Sequence, residues 1–65
     1  MPTPKYQPGQ TVTLRSGALH RILEVYEWKA ARGYRYSTMT ARPDGQLYGP
    51  FRNITDKTPV TRVEG

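Results

Sequence analysis

Short segments separated by turn residues restrict the fold of this chain more than any other feature. Turn signals stand at Pro8-Gly9, at Ser16-Gly17, at Gly33 and at residues 42–45. The segments between them are rich in residues that favour strands, and none carries a convincing helix signature. Because 65 residues are too few for a two-sheet sandwich, we predict an all-β fold: a small five-stranded, partly open barrel of the SH3-like kind.

Residue alternation predicts the strands. Residues 10–15 alternate strictly, with Val12 and Leu14 on one face. Residues 34–41, 46–52 and 59–63 are the predicted third, fourth and fifth strands, with a short connector at 53–58. Arg-Pro-Asp-Gly at 42–45 predicts a tight turn before the fourth strand. Gly49-Pro50 predicts a kink within it, at an edge or a bulge.

The second strand, residues 19–28, is predicted to be long and bent. Leu19, Leu23 and Tyr26 are also spaced like one face of a helix, which leaves a helix as the alternative. A helix would lack a good N-cap, however, and the aromatic and β-branched residues favour a strand. The core-facing side must change midway along this strand, which requires a bulge.

The predicted domain covers residues 9–65, and residues 1–8, which hold three prolines, are predicted to form a flexible arm. A domain this small buries only about 60% of the surface that its unfolded chain exposes. Self-association, as a homo-oligomer, or a partner is therefore an option for added stability. The residues predicted to be buried together are Val12, Leu14, Leu23, Val25, Leu47, Phe51 and Ile54.

Several classes of site are excluded by residue types that the chain lacks. Without cysteine there can be no disulfide and no thiolate zinc site, and we expect a cytoplasmic protein. His20 is the only histidine, so neither a catalytic triad nor a histidine-rich metal site can form. There is also no glycine-rich phosphate loop and no apolar run long enough to span a membrane. We therefore predict no catalytic site, no metal, no cofactor and no membrane partner.

Positive charge is the strongest indication of a partner. Ten Lys and Arg face five Asp and Glu, and seven of the ten cations are Arg. Arginine binds phosphate and stacks on flat rings, although net charge also serves solubility alone. We predict a non-enzymatic binding module for nucleic acid, in which aromatic rings stack on bases. The candidate binding residues are Trp28, Arg32, Tyr34, Arg35, Tyr36, Arg15 and Arg52.

Two alternatives stay open at this point. Met39 and Ala41 suggest that the odd-numbered face of the third strand is buried, which would leave Tyr34 and Tyr36 outside unless a bulge intervenes. Otherwise at least one of the two tyrosines belongs to the core, with its hydroxyl at the rim. The same aromatic patch would also suit a protein partner, which gives an adaptor or regulatory module as the alternative function.

Two stretches resemble the small barrels of plasmid-borne type II dihydrofolate reductases. The residues Gly9-Gln10-Thr11-Val12 with Ser16-Gly17-Ala18 are similar to that family's first strand and turn, and Gln46-Leu47-Tyr48 resembles its pore-lining strand. The resemblance implies four subunits around a pore that binds folate and a nicotinamide cofactor. Gln46 and Tyr48 would then line the pore and Leu47 would offer a backbone contact. Leu14 stands where the family carries a key lysine.

Overall fold

The computed structural model, which describes residues 3–65, consists of one five-stranded antiparallel sheet. The strands are β1 (Thr11–Leu14), β2 (Leu19–Trp28), β3 (Gly33–Ala41), β4 (Leu47–Thr55) and β5 (Val60–Glu64), with a 3₁₀ turn, Lys29–Ala31, between β2 and β3. The spatial order is β4-β3-β2-β1-β5, and β4 and β5 form the two edges of a sheet that does not close. The all-β prediction is confirmed, and the sheet is consistent with an SH3-like barrel. Within residues 3–65 no helix has the length and apolar character needed to cross a membrane.

Strand β2 is long and bulged, as predicted, and the helical alternative is wrong. Ile22 pairs with Thr38, and Val25 pairs with Tyr36. The two partners on β3 are two residues apart, whereas Ile22 and Val25 are three apart, so one extra residue is inserted into β2. The insertion keeps both apolar residues on the side of the sheet that faces the core.

The turn between β3 and β4 follows the chemistry of its sequence. Gly45 has a φ of 94°, which a glycine adopts without steric cost. The Asp44 carboxylate accepts a hydrogen bond of 2.9 Å from the backbone N–H of Gln46. Ala41 and Leu47 then pair as the first residues of the ladder. The predicted tight turn is confirmed.

Strand β4 is an edge strand with a large irregularity. Opposite Met39, β4 carries three residues, 49–51, which lie between two paired positions of the ladder. This is the predicted kink at Gly49-Pro50, and it lies on an edge, where a proline is tolerated. Beyond it the strand continues to Thr55, so the first half of the predicted connector at 53–58 is strand. Phe51 stands at the bulge and is 69% exposed, so its prediction as a core residue is wrong.

The core gathers under the middle of the sheet. Val12 and Ile54 are buried there as predicted, and Leu14 and Val25 pack against it half-buried. Leu23 and Leu47 are also half-buried but lie outside this cluster. The buried residues that form this core cluster are Tyr6, Val12, Ile22, Tyr36 and Ile54.

The domain begins earlier than predicted. Tyr6 is buried, and its ring meets the Tyr36 ring edge-on with 4.9 Å between centroids. Edge-to-face pairs of this kind add to the stabilisation from apolar burial. Lys5 and Tyr6 therefore belong to the packed domain rather than to a flexible arm, and residues 1–2 of that predicted arm lie outside the described residues.

Candidate functional site

Two exposed aromatic rings lie near the end of β2. Trp28, the last residue of β2, is 41% exposed, and Tyr26 is 44% exposed. Residues two apart on a strand point to the same side, so the two side chains start about 6.6 Å apart along β2. The Tyr26 hydroxyl donates to the Glu24 carboxylate, and this hydrogen bond raises the pKa of Tyr26. Rings of this kind offer flat faces to solvent.

Basic residues lie on the segments next to these rings. Arg32 ends the 3₁₀ turn in the left-handed conformation, with a φ of 53°, and its N–H donates to the Lys29 carbonyl at 3.1 Å. Arg35 is the register partner of Tyr26 and therefore shares its side of the sheet. We define the Trp28 face by the aromatic and basic side chains around the end of β2. Tyr26, Trp28 and Arg35 lie on one side of the sheet. Tyr34, which packs against the core on the other side, lines depressions beside Trp28 together with Lys29, Arg32 and Lys57.

Two depressions adjoin in the Trp28 face. The first, of about 290 Å³, is lined by Trp28, Ala31, Gly33, Tyr34, Thr55, Asp56 and Lys57. The second, of about 440 Å³, is lined by Glu27, Lys29, Arg32, Gly33 and Tyr34. Gly33 and Tyr34 line both, so the aromatic and cationic parts of the face are continuous. A small ligand needs a concave surface of about this size.

A closed set of hydrogen bonds supports the face from below. Asp56 accepts from the Tyr36 hydroxyl at 2.6 Å and from the Tyr34 N–H at 2.8 Å. The Tyr36 oxygen accepts from the Lys5 N–H at 2.9 Å, and the Lys5 ammonium donates to the Asp56 carbonyl at 2.9 Å. We call Lys5, Tyr34, Tyr36 and Asp56 the Asp56 cluster. Burial, with the hydrogen bond to Asp56, raises the pKa of Tyr36 to about 12.

The Asp56 cluster also explains a glycine. A Cβ on Gly33 would lie 2.8 Å from an Asp56 carboxylate oxygen, closer than carbon and oxygen tolerate. The carboxylate reaches the Tyr34 N–H only because residue 33 has no side chain. Gly33 is therefore required at the point where the cluster meets the Trp28 face.

The structure divides the predicted binding residues. Trp28, Arg32 and Tyr34 come together around the two depressions. Arg35 lies on the same side of the sheet as Tyr26. Tyr36 is fully buried, so its prediction as a base-stacking surface residue is wrong. The alternative that one of the two tyrosines belongs to the core applies to Tyr36. Its register partner Val25 lies on the core side of the sheet because of the bulge in β2.

Arg15 and Arg52 belong elsewhere. Arg52 lines a third cavity, together with His20 on β2. Arg15 follows β1, and its N–H donates to the Pro59 carbonyl at 3.3 Å, beside the start of β5. Strand β1 pairs with the opening residues of β2, at the far end from Trp28. These two arginines therefore do not extend the Trp28 face.

Three members of the face were missed from the sequence. Tyr26 carries the signal that could have found it, because it alternates with Trp28 on one strand. Lys29 adjoins Trp28 in the sequence and could have been included with it. Lys57 gives no local signal, because it reaches the face only through the turn after β4.

The residues of the pore analogy lie at the other end of the β3–β4 hairpin. Leu47 is half-buried opposite Ala41. Tyr48 is 46% exposed, and the Arg42 guanidinium carbon lies 4.8 Å from the centre of its ring, a cation–π contact. Gln46 is exposed in the turn. A pore role for Gln46, Leu47 and Tyr48 stays a prediction.

Comparison with known proteins found no family model, no curated protein and no solved structure that matches this chain. Function must therefore be inferred from the geometry and chemistry of the chain's own residues.

Proposed function

We propose that this chain is a small non-enzymatic binding module that holds single-stranded nucleic acid on the Trp28 face. One observation carries the proposal: an exposed tryptophan shares a cavity with Tyr34 while cations border the same depressions. Small β-barrels commonly bind single strands by combining aromatic platforms with a positively charged surface.

The spacing of the aromatic rings suits bases. Tyr26 and Trp28 stand about 6.6 Å apart along β2, about twice the 3.4 Å repeat of stacked nucleotides. One base can insert between the two rings, or consecutive bases can stack on them. Stacking is tolerant of sequence because every base has a π-face, so we expect weak sequence preference.

The charge of the face suits phosphates. Lys29 and Arg32 line one depression and Lys57 the other, whereas Glu27 is the one acidic residue lining the former. The carboxylate of Asp56 is already occupied by two donors within the protein. The excess of cations on the face agrees with the net charge of +5 for the whole chain.

The chain offers its own reporter for a test. Trp28 is the only tryptophan, so quenching of its fluorescence by an oligothymidylate follows binding at the proposed face. For three or so phosphate contacts, log K should fall with log salt at a slope near −2, from about −0.7 per contact on a single strand. Absence of binding at low salt would contradict the proposal, and the protein-interaction alternative would then apply to the same face.

Matched variants separate charge from stacking when a labelled oligonucleotide is followed by anisotropy. Arg32→Ala should reduce the salt slope by about 0.7, whereas Arg62→Ala should not, because Arg62 pairs with Glu64 on the opposite edge strand. Trp28→Ala should weaken binding by about 1–3 kcal/mol with the slope unchanged. Tyr48→Ala, which removes a similarly exposed ring outside the face, should leave the affinity unchanged.

The reductase-like alternative has its own test. It requires a tetramer with Gln46 and Tyr48 at the centre, together with reduction of dihydrofolate. A monomer by light scattering, or absence of that reduction, would exclude it. We expect exclusion, because Leu14 cannot supply the positive charge that the glutamate tail of folate would seek.

A further inference from the structure

A third cavity lies apart from the Trp28 face, under the first half of β2. Its volume is about 380 Å³, near the lower end of the range for small-molecule sites. One part of its lining is apolar and the other polar. We call it the His20 cavity. It is lined by Leu14, Ser16, Ala18, His20, Thr40, Arg52, Asn53 and Ile54.

Hydrogen bonding fixes the tautomer of His20. The Thr38 hydroxyl donates its single hydrogen to the Arg52 carbonyl at 2.9 Å. Toward the His20 Nδ1 atom, 3.3 Å away, that hydroxyl oxygen can therefore only accept. Nδ1 carries the proton of the neutral ring, and Nε2 is left as the acceptor.

The Nε2 atom opens to the cavity. His20 is only 4% exposed, yet within residues 3–65 its one side-chain hydrogen bond is the contact from Nδ1. No buried side-chain nitrogen or oxygen of the described residues lacks a partner. The small exposed part of His20 must therefore include Nε2, in a ring that lines the His20 cavity.

The charges around this ring favour an anion. Arg52 lines the cavity from β4, and no lining residue is acidic. The register partners of His20, Val12 on β1 and Thr40 on β3, bring no charge. Burial and the Arg52 guanidinium lower the pKa of His20, so the ring is neutral at pH 7 and cannot itself supply a second cation.

We propose that the His20 cavity binds a phosphate monoester with a small apolar group. Arg52 holds one phosphate oxygen as a charged donor, and one proton is shared between another phosphate oxygen and Nε2 of His20. Leu14, Ala18 and Ile54 receive the apolar group. A phosphate diester, such as the backbone of nucleic acid, has no such proton, so this site is distinct from the one proposed on the Trp28 face.

The shared proton decides the pH dependence. A monoester loses its second proton near pH 6, and the neutral ring of His20 does not replace it. Binding should therefore be strongest near pH 6 and weaken by about tenfold per pH unit above it, because one proton is taken up with the ligand.

The test uses the single histidine of the folded chain as an NMR reporter. Phenyl phosphate, titrated at pH 6.5, should shift the His20 ring signals and raise the apparent pKa of His20. Dimethyl phosphate, a diester, should bind at least tenfold more weakly under the same conditions.

Two arginine variants identify the anion contact. Arg52→Gln should weaken binding of phenyl phosphate by about tenfold or more, since a hydrogen bond to a charged group is lost. Arg62→Gln, whose side chain pairs with Glu64 on edge strand β5 and lines none of the three cavities described, should bind phenyl phosphate as the unaltered chain does.

The proposal is overturned if phenyl phosphate at tens of millimolar leaves the His20 signals unchanged. It is equally overturned if dimethyl phosphate binds as well, or if the two arginine variants behave alike, because either result indicates a non-specific ionic contact. Trp28 fluorescence and His20 resonances report the two proposed sites separately, so the failure of one proposal is distinguishable from the failure of the other.

Discussion

The Asp56 cluster and the His20 cavity both place polar side chains against the core, but they satisfy them differently. In the Asp56 cluster both carboxylate oxygens accept hydrogen bonds from within the protein, and the Tyr36 oxygen also accepts one. In the His20 cavity one ring nitrogen is hydrogen-bonded to Thr38 and the other opens to the cavity that Arg52 also lines.

The difference separates a structural role from a binding role. A polar group that is fully paired stabilises the fold and has no capacity left for a ligand. A group with an open acceptor beside a cation keeps that capacity, at some cost in stability. The Asp56 cluster should therefore dominate stability, and the His20 cavity should respond to pH and ligands.

The largest effect is expected from Asp56→Ala. The change leaves the Tyr36 hydroxyl and the Tyr34 N–H without their partner, and should lower the free energy of unfolding by about 3 kcal/mol or more. Asp44→Ala is the matched control. The Asp44 carboxylate also accepts a hydrogen bond from a backbone N–H, but in an exposed turn, so its removal should lower the free energy of unfolding by only about 1 kcal/mol. Urea unfolding measures both, and equal losses would contradict the structural role of the cluster.

A second effect is expected at alkaline pH. The Tyr36 pKa is raised from 10.0 to about 12. The stabilisation of the fold by the protonated Tyr36 hydroxyl is therefore fully present below pH 10 and is lost as the pH rises towards 12. Tyr36→Phe should cost about 1.5–3 kcal/mol at pH 8, through the lost hydrogen bond to Asp56. It should also flatten the alkaline decline. If the Tyr36→Phe variant loses stability at alkaline pH as steeply as the unaltered chain, another titrating group is responsible for the loss.

A smaller dependence of stability on pH, with the opposite sign, is expected from His20, because its ring keeps an opening to the cavity. Its pKa is lowered from 6.5, so the unfolded chain takes up the proton first. The stabilisation that comes from the neutral ring should be fully present above pH 6.5 and should be lost as the pH drops through the lowered pKa. Melting temperatures between pH 7.5 and 5 measure this, with His20→Asn as the control that should lose part of the decline. The same decline in both chains would rule out His20 as its source.

The smallest effect is expected at the β4 bulge, which belongs to neither region. Phe51→Ala should change the free energy of unfolding by less than about 1 kcal/mol, because the ring is already mostly in solvent. Ile54→Ala, three residues along the same strand, should cost about 2–5 kcal/mol because that side chain is buried in the core. Chemical unfolding of the two variants in parallel makes the comparison, and a large loss for Phe51→Ala would show that this ring packs on a partner or a second copy.

Much of the Trp28 face followed from the sequence. Trp28, Arg32 and Tyr34 flank one short connection, so their proximity needs only a hairpin between β2 and β3. Neither the Asp56 cluster nor the His20 cavity was predicted. Lys5 and Asp56 are far apart in the sequence, and so are His20 and Arg52, so only strand pairing across the sheet brings the members of each pair together.

The sequence by itself determined the elements whose causes are local. The bulge of β2, the Pro-Asp-Gly turn and the kink at Gly49-Pro50 follow from steric preferences and spacing within a few residues. Only the tertiary structure decided which side chains those elements bury. A strand alternates its faces, so each inserted residue exchanges inside for outside along the remainder of that strand. The extra residue in β2 puts Val25 on the core side with Ile22, and pairing with Val25 and Ile54 places Tyr36 in the core.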